Sequence, residues 1–261
     1  MKIKIGSVLI GLAGWAVNMG AHAAELQVYV PGAVRPAVLS AAATFQRDTG
    51  HSVNFTFGTG GGTQQQVAKG APADVTVLPG KSIDELEQLG LIMTESRRAV
   101  GALGVGVGIK AGKPRPAIGS EAELRATLLA ARSLSYADPA LGGTAGVYFA
   151  TVVLPRLGIV EDLRAKTLLG AVGQDAVHHV VNGEAEIVVV QASEIVAVPG
   201  AELVGPLPKS LQKQTPYAAV ALKRSLMPEV ARAYIEYLVS VEGKAAFRAA
   251  GFQVDDGARE K

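Results

Sequence analysis

The sequence lacks cysteine altogether and contains only four histidines among its 261 residues. The absence of cysteine excludes a disulfide framework and thiol chemistry, so the fold must be held together by packing. Two of the histidines, His178 and His179, are adjacent, and the side chains of neighbouring helix residues point in different directions. A metal ion shared between them is therefore not expected, and we expect neither a metal site nor a cofactor.

Net charge is also low. The formal charge of +2 equals the contribution of two N-terminal lysines, Lys2 and Lys4, so the rest of the chain is close to neutral. Proteins that bind nucleic acid or an anionic membrane surface need a concentrated Lys/Arg footprint. We therefore expect no nucleic-acid partner, and any anion that the protein binds must be held by a local site.

The N-terminal segment has the three parts of a secretory signal peptide. Lys2 and Lys4 form a basic start, residues 5–17 form an apolar run, and Ala21, His22 and Ala23 form an A-x-A cleavage site. The apolar run of about 13 residues is shorter than the roughly 20 that a membrane-spanning helix needs. We expect residues 1–23 to be a cleaved signal peptide and the mature protein to be periplasmic, without stable membrane insertion.

Strand and helix patterns alternate along the mature chain, which is typical of an α/β fold. The strands are predicted at 26–30, 52–57, 75–78, 103–109, 133–136, 187–190 and 218–222. The helices are predicted at 37–48, 63–69, 83–89, 121–131, 146–157, 176–182, 227–238 and 242–250.

Two strand-to-helix junctions early in the chain are rich in glycine. Glycine lets the backbone approach a ligand closely, and the following helix presents unpaired N–H groups and about half a positive charge. Such a junction is suited to hold an anion, although a tight turn or a flexible loop can have the same composition. The candidate ligand-binding residues are Gly32, Ala33 and Arg35 at the first junction and Thr59, Gly60, Gly61 and Thr63 at the second.

A third glycine-rich strand-to-helix junction covers residues 137–148, and its candidate ligand-binding residues are Thr144 and Ala145. The second junction is not a good dinucleotide-binding loop, because G-x-G-x-x-G would need a glycine where Thr63 stands. One such junction means little by itself. Three of them in one α/β chain predict that several helix N-termini converge on a single ligand.

Segments 26–35, 58–78, 137–148 and 187–194 resemble the molybdate-binding family of ABC-transporter solute-binding proteins, and Gly70 to Asp74 is close to that family's GAPAD segment. The resemblance implies a type II periplasmic-binding fold, in which two α/β lobes joined by two hinge strands close on a ligand. It places lobe 1 at 24–104 plus 217–261 and lobe 2 at 105–216, with a single continuous domain as the alternative. It also implies an ABC-transporter permease as partner, and we expect a monomer.

The chain departs from the molybdate-binding pattern at three places. That family has serines in the first two loops and a tyrosine late in the second lobe, whereas this chain has Ala33, Thr59 and Gln191 there. Because Gln191 offers both donors and an acceptor, a di- or tricarboxylate is favoured over a molybdate-type oxyanion. A closer resemblance, over segments 136–138, 146–156, 183–186 and 191–194, is to a subgroup containing aconitate isomerase.

Two functions of different classes follow. In the first, the protein captures a small anion for a permease, with Thr59, Thr63, Thr144 and Gln191 as hydrogen-bonding residues and Arg35 as charge partner. In the second, the same cleft interconverts cis- and trans-aconitate by proton transfer without a cofactor, which needs a general base and an acid opposite it. The catalytic candidates are Glu194 as base and Tyr148 or Asp175 as its counterpart. The sequence shows no obvious acid/base pair, so it favours binding over catalysis.

Overall fold

The computed structural model describes residues 23–255, so the predicted signal peptide lies outside the described residues apart from Ala23. The strands are β1 (Glu25–Pro31), β2 (Ser52–Gly58), β3 (Val75–Pro79), β4 (Arg98–Lys110), β5 (Leu134–Ala137), β6 (Thr167–Gly170), β7 (Ile187–Gln191), β8 (Ala201–Pro206) and β9 (Gln214–Ala221). The helices are α1 (Arg35–Thr49), α2 (Gly60–Ala68), α3 (Gly80–Gln88), α4 (Glu121–Ala130), α5 (Thr144–Tyr148), α6 (Leu154–Leu157), α7 (Val160–Arg164), α8 (Gly173–Asn182), α9 (Ala192–Val196), α10 (Pro228–Leu238) and α11 (Val241–Ala249). The predicted α/β class is confirmed.

The strands form two half-sheets that share β4. They follow the order β2-β1-β3-β9-β4-β7-β5-β6, and β8 also pairs with β4. The first part of β4, up to Gly104, pairs with β9, whereas the part from Val105 onward pairs with β7 and β8. We call the half around β1, β2, β3 and β9 lobe 1 and the half around β5, β6, β7 and β8 lobe 2. The residue boundaries that the sequence predicts for the lobes stay a prediction.

Each lobe buries apolar side chains on both faces of its half-sheet. In lobe 1 one cluster lies under α1, α10 and α11, and a second lies under α2 and α3. The all-buried strand β3 is shared by these two clusters, as expected for a strand covered by helices on both sides. In the first cluster the rings of Phe45 and Tyr234 meet edge to face, with centroids 5.1 Å apart. Lobe 2 has a corresponding pair of clusters.

Three helices, α2, α3 and α8, begin about one turn earlier than the sequence predicts. Helix α2 begins at Gly60 because the Thr59 hydroxyl accepts a hydrogen bond from the Gly62 N–H at 2.9 Å. Helix α8 begins at Gly173, where the Asp175 carboxylate accepts the Val172 N–H at 3.2 Å. The early starts of α2 and α8 bring the backbones of Gly60 and Gly173 to the ends of the strands, where the lobes face each other. Between residues 23 and 255, no helix has both the length and the apolar character needed to cross a bilayer.

Candidate functional site

A small cavity lies between the lobes, beyond the carboxyl ends of β1, β2, β5 and β7. Ligands of open α/β sheets bind at this edge, and helix N-termini point toward it. The cavity volume is about 20 Å³, so the lobes are closed to a space that holds little more than one water molecule. The predicted residues that line the cavity are Gly32, Ala33, Thr59, Gly60, Thr144, Ala145, Gln191 and Glu194. The structure therefore brings residues from all three predicted junctions together.

The second and third junctions touch each other directly across the cleft. The Gly61 N–H donates a hydrogen bond to the Gly142 carbonyl at 3.0 Å, and the Thr59 hydroxyl donates one to the Leu141 carbonyl. Thr59 also caps α2, so both of its hydrogen-bonding roles are filled in the closed state. These two predicted ligand-binding residues hold the lobes together here, and binding a ligand through them requires the lobes to separate.

Small residues make this close approach possible. A Cβ atom on Gly60 would lie 2.5 Å from the Thr144 hydroxyl oxygen, which is too close for any real side chain. On the other side of the cavity, the buried Ser193 hydroxyl of lobe 2 donates to the Ala33 carbonyl of lobe 1 at 2.6 Å. The glycines therefore serve lobe closure as well as the exposure of backbone N–H groups.

Gln191 is the strongest ligand-recognition candidate in the cavity. Its side chain is buried, with 2% of the residue exposed, and neither its amide nitrogen nor its amide oxygen has a hydrogen-bond partner within residues 23–255. A buried polar group without a partner costs about 1–3 kcal/mol. Because both atoms face a cavity, a ligand that accepts from one and donates to the other would remove that penalty.

Glu194 lies in the first turn of α9 and also lines the cavity. Its carboxylate accepts the Gln191 N–H at 3.3 Å, and only 7% of the residue is exposed. Lysine, arginine and histidine are absent from the cavity-lining residues of the described chain. Burial raises the pKa of Glu194 to about 7, which the hydrogen bond from Gln191 only partly offsets. At neutral pH this carboxyl is therefore poised to accept or release a proton.

Tyr217 and Gly173 line the cavity although the sequence did not predict either as part of the site, and Tyr217 brings a polar side chain. Tyr217 lies on β9, is buried, and its hydroxyl faces Thr144 without a well-formed hydrogen bond to any residue in 23–255. Burial raises the pKa of Tyr217, and the nearby Glu194 charge adds to the effect. The hydroxyl thus stays protonated and can donate a hydrogen bond. The only sequence signal for Tyr217 was its place at residue 217, where the chain is predicted to return from lobe 2 to lobe 1.

Five predicted residues do not line the cavity. One of them is Gly61, whose N–H donates to the Gly142 carbonyl across the cleft. The Arg35 guanidinium lies 4.4 Å from the centre of the Phe57 ring and donates to the Gln174 side chain at 3.3 Å. The Tyr148 hydroxyl donates to a backbone carbonyl, that of Leu211, at 3.0 Å. Asp175 caps α8, and Thr63 is buried beneath the second junction with its hydroxyl unpaired among the described residues. The structure therefore does not bring Arg35, Tyr148 or Asp175 to the cavity.

Comparison with known proteins gives a family and its relatives. The family model for "Bacterial extracellular solute-binding protein" matches residues 26–253. An aconitate isomerase from a Pseudomonas species is 30% identical over 257 residues, which cover 96% of this chain and 95% of that protein. The molybdate-binding protein ModA of Azotobacter vinelandii is 29% identical over 261 residues, covering 97% of this chain and 99% of that protein.

Solved structures show the same architecture. The periplasmic molybdate-binding protein of Azotobacter vinelandii superposes with a TM-score of 0.75 at 20% identity, covering 88% of this chain and 99% of that one. The sulfate-binding protein SubI of Mycobacterium tuberculosis superposes with a TM-score of 0.72 at 17% identity, covering 90% of this chain and 88% of that one. The type II periplasmic-binding fold, predicted from the sequence resemblance, is confirmed.

Proposed function

The chain belongs to the bacterial extracellular solute-binding proteins, and we propose on that premise that its two lobes close on a small unsaturated carboxylate and isomerise it by proton transfer. One observation carries the proposal. Glu194 places a carboxyl with a pKa of about 7 in a cavity lined by helix N-termini, glycine backbones and neutral polar side chains. In a protein that only captures an anion, the ionised form of Glu194 opposes binding, whereas a general base or acid works best with such a pKa.

The surrounding groups are suited to the charge that such a reaction develops. Removing a proton from a carbon beside a carboxylate puts negative charge on that carboxylate as an enolate. The N-termini of α5 and α8 reach the cavity through Thr144 and Gly173, and the Gln191 amide and Tyr217 hydroxyl offer unused hydrogen bonds. These groups would stabilise the enolate without a metal ion or cofactor.

The proposed reaction is the interconversion of cis- and trans-aconitate. The Glu194 carboxylate removes a proton from the methylene carbon, the double bond shifts to that carbon, and a proton is returned to the carbon that was the alkene CH. Glu194 can return the proton itself, or Tyr217 can supply it and recover it from Glu194. Either route conserves protons and electrons. The similarity to an aconitate isomerase across 96% of the chain supports this choice of substrate.

A direct assay tests the proposal. Protein corresponding to residues 24–261 is incubated with cis-aconitate, and the vinyl proton of each isomer is followed by NMR, in H2O and in D2O. We expect trans-aconitate to form, with deuterium incorporated from D2O, and Glu194→Gln to abolish both. Glu161→Gln, which changes a carboxylate that is 76% exposed, is the matched control and should keep full activity. Absence of turnover in the wild-type protein, under conditions where it binds aconitate, would reject the isomerase.

The second candidate is a carrier that delivers a small anion to an ABC-transporter permease. It is favoured by the molybdate- and sulfate-binding relatives and by a closed cavity between two lobes. Turnover in the wild-type protein and its loss in Glu194→Gln separate the two functions. An isomerase loses turnover in this variant, whereas a carrier has no turnover to lose and keeps its anion binding. Stabilisation of the protein by molybdate and by no carboxylate would overturn the proposed ligand class.

The extracellular character of the family supports a periplasmic location for either function.

A further inference from the structure

The Glu194 carboxyl lies between two glycines, one from each lobe. A Cβ atom on Gly173, the first residue of α8 in lobe 2, would overlap both carboxyl oxygens. A Cβ atom on Gly32, in lobe 1, would lie 3.1 Å from one of them. Neither glycine has a positive φ, so the backbone conformation does not require glycine at either position. At Gly173 the space taken by the Glu194 carboxyl excludes a side chain, and at Gly32 a methyl group would press on the carboxyl.

We infer that Gly173 and Gly32 are positioning residues, whose missing side chains let both lobes close directly on the Glu194 carboxyl and hold it in the cavity. This inference deepens the proposed function and rests on it for its catalytic consequence. Gly173 fixes the carboxyl from its own lobe in every state of the cleft. Gly32 reaches the carboxyl only when lobe 1 has closed.

Lobe closure therefore changes the surroundings of this one carboxyl. With the lobes apart, Gly32 and Ala33 leave and water reaches Glu194, so the burial that raises the pKa of Glu194 is reduced. The other groups on the elements around it are few. Tyr217 on β9 is protonated, Asp175 on α8 accepts the Val172 N–H, and Arg35 on α1 is held by Gln174 and the Phe57 ring. Closure thus raises the proton affinity of Glu194, so its pKa reaches about 7, where the carboxyl can both accept and return a proton, only in the assembled site.

The first test is Gly173→Ala, with Gly205→Ala as matched control. The control glycine is in the same lobe, has no positive φ, and a Cβ there would meet its nearest neighbour at an ordinary 3.7 Å. We expect Gly173→Ala to lower kcat for aconitate isomerisation by about 100-fold, because a displacement of about 1 Å in a reacting group has an effect of that size. The acidic limb of the pH–rate profile should move to lower pH. Unchanged kcat and pH profile would overturn the inference.

A second readout does not depend on turnover. The chemical shift of the Glu194 carboxyl carbon, identified in ¹³C-glutamate-labelled protein by its absence in Glu194→Gln, is followed from pH 4 to 9. We expect the titration midpoint of the Glu194 carboxyl to lie near pH 7 in the wild-type protein. In Gly173→Ala and Gly32→Ala we expect this midpoint at lower pH. Equal midpoints in all three proteins would contradict the positioning role. A shifted midpoint in a protein without isomerase activity would uphold the positioning role and reject the proposed reaction.

A compensating variant covers the case in which Gly173→Ala does not fold. Glu194→Asp shortens the side chain by one methylene and withdraws the carboxyl from the space that the new methyl group takes. We expect the double variant Gly173→Ala/Glu194→Asp to recover at least half of the loss in thermal midpoint that Gly173→Ala causes, since residues in contact give non-additive effects. Additive effects of the two changes would show that Gly173 does not act through Glu194.

Discussion

The Ser193 hydroxyl in lobe 2 donates a buried hydrogen bond of 2.6 Å to the Ala33 carbonyl in lobe 1. The bond joins residues 160 positions apart in the sequence and lies beside the cavity. It forms only when the lobes are together, so it stabilises the closed state over the open one. Loss of a buried hydrogen bond that leaves the carbonyl without a partner costs about 1–3 kcal/mol.

Ser193→Ala should therefore shift the protein toward the open state. We expect a larger radius of gyration by small-angle X-ray scattering without ligand, and about tenfold weaker aconitate binding by calorimetry, which corresponds to about 1.4 kcal/mol. Ser40→Ala, at an exposed position on α1, is the control and should change neither quantity. A Ser193→Ala protein with wild-type scattering and affinity would show that this bond does not govern closure.

The raised pKa of Glu194 predicts a pH-dependent stability of definite sign. The folded-state pKa is about 7 and the unfolded value is 4.5, so the folded protein binds more protons between these two values. The free energy of unfolding therefore falls as pH rises from 4.5 to 7, by about 3 kcal/mol in total from this group, and stays reduced above pH 7. Below pH 4.5 the carboxyl is neutral in both states and this loss is absent.

Glu194→Gln keeps the shape of the side chain and cannot ionise. We expect it to match the wild-type protein in thermal stability near pH 4.5 and to exceed it at pH 8, with most of the divergence between pH 5 and 7. Thermal unfolding of both proteins across that range measures the difference, and other titrating groups cancel in the comparison. A constant difference across the range would contradict the shifted pKa.

The unpaired amide of Gln191 should lower the stability of the folded protein and strengthen ligand binding, and one substitution tests both effects. Gln191→Met replaces two buried, unpaired amide atoms with an apolar side chain of similar length. We expect the free energy of unfolding to rise by about 1–3 kcal/mol and aconitate affinity to fall at least tenfold. Chemical denaturation and calorimetry measure the two effects. A variant that gains stability and still binds normally would place the ligand away from Gln191.

The convergence of the predicted junctions follows from elementary geometry. Gly32 and Thr59 come directly after β1 and β2, Thr144 begins the helix after β5, and the carboxyl ends of parallel strands meet at one edge of a sheet. Their position at the strand ends of each lobe could therefore be predicted without knowing any tertiary contact, whereas the resemblance to two-lobed binding proteins was needed to predict that the two lobes face each other. The sequence also indicated Gln191, the last residue of β7, and Glu194, three residues after it.

The remainder of the site depends on information that local patterns do not carry. Gly173 follows β6, a four-residue strand that the sequence did not reveal, and the start of α8 is set by the Asp175 cap. Tyr217 lies within a buried strand, where an aromatic residue indicates core packing. Arg35 follows the right junction, but its long side chain is directed by Phe57 and Gln174, which only the tertiary fold brings close.

Tyr217 and Tyr234 form a natural pair for separating catalysis from packing. Both hydroxyls are buried without a hydrogen-bond partner in the described part of the chain, and burial raises the pKa of both. Only Tyr217 lines the cavity, whereas Tyr234 packs against Phe45 in the core of lobe 1. Removal of either hydroxyl takes away an unpaired polar group, so Tyr217→Phe and Tyr234→Phe should each raise the thermal midpoint or leave it unchanged.

Their effects on the reaction should differ. Because the Tyr217 hydroxyl faces the site where charge and protons move, we expect Tyr217→Phe to lower kcat for aconitate isomerisation by about 100-fold, within the range typical of a lost proton donor. Tyr234→Phe should keep wild-type kcat. Steady-state kinetics on the two variants, together with their melting curves, give the comparison. Equal activity in both would remove Tyr217 from the mechanism and leave Glu194 to deliver and recover the proton alone.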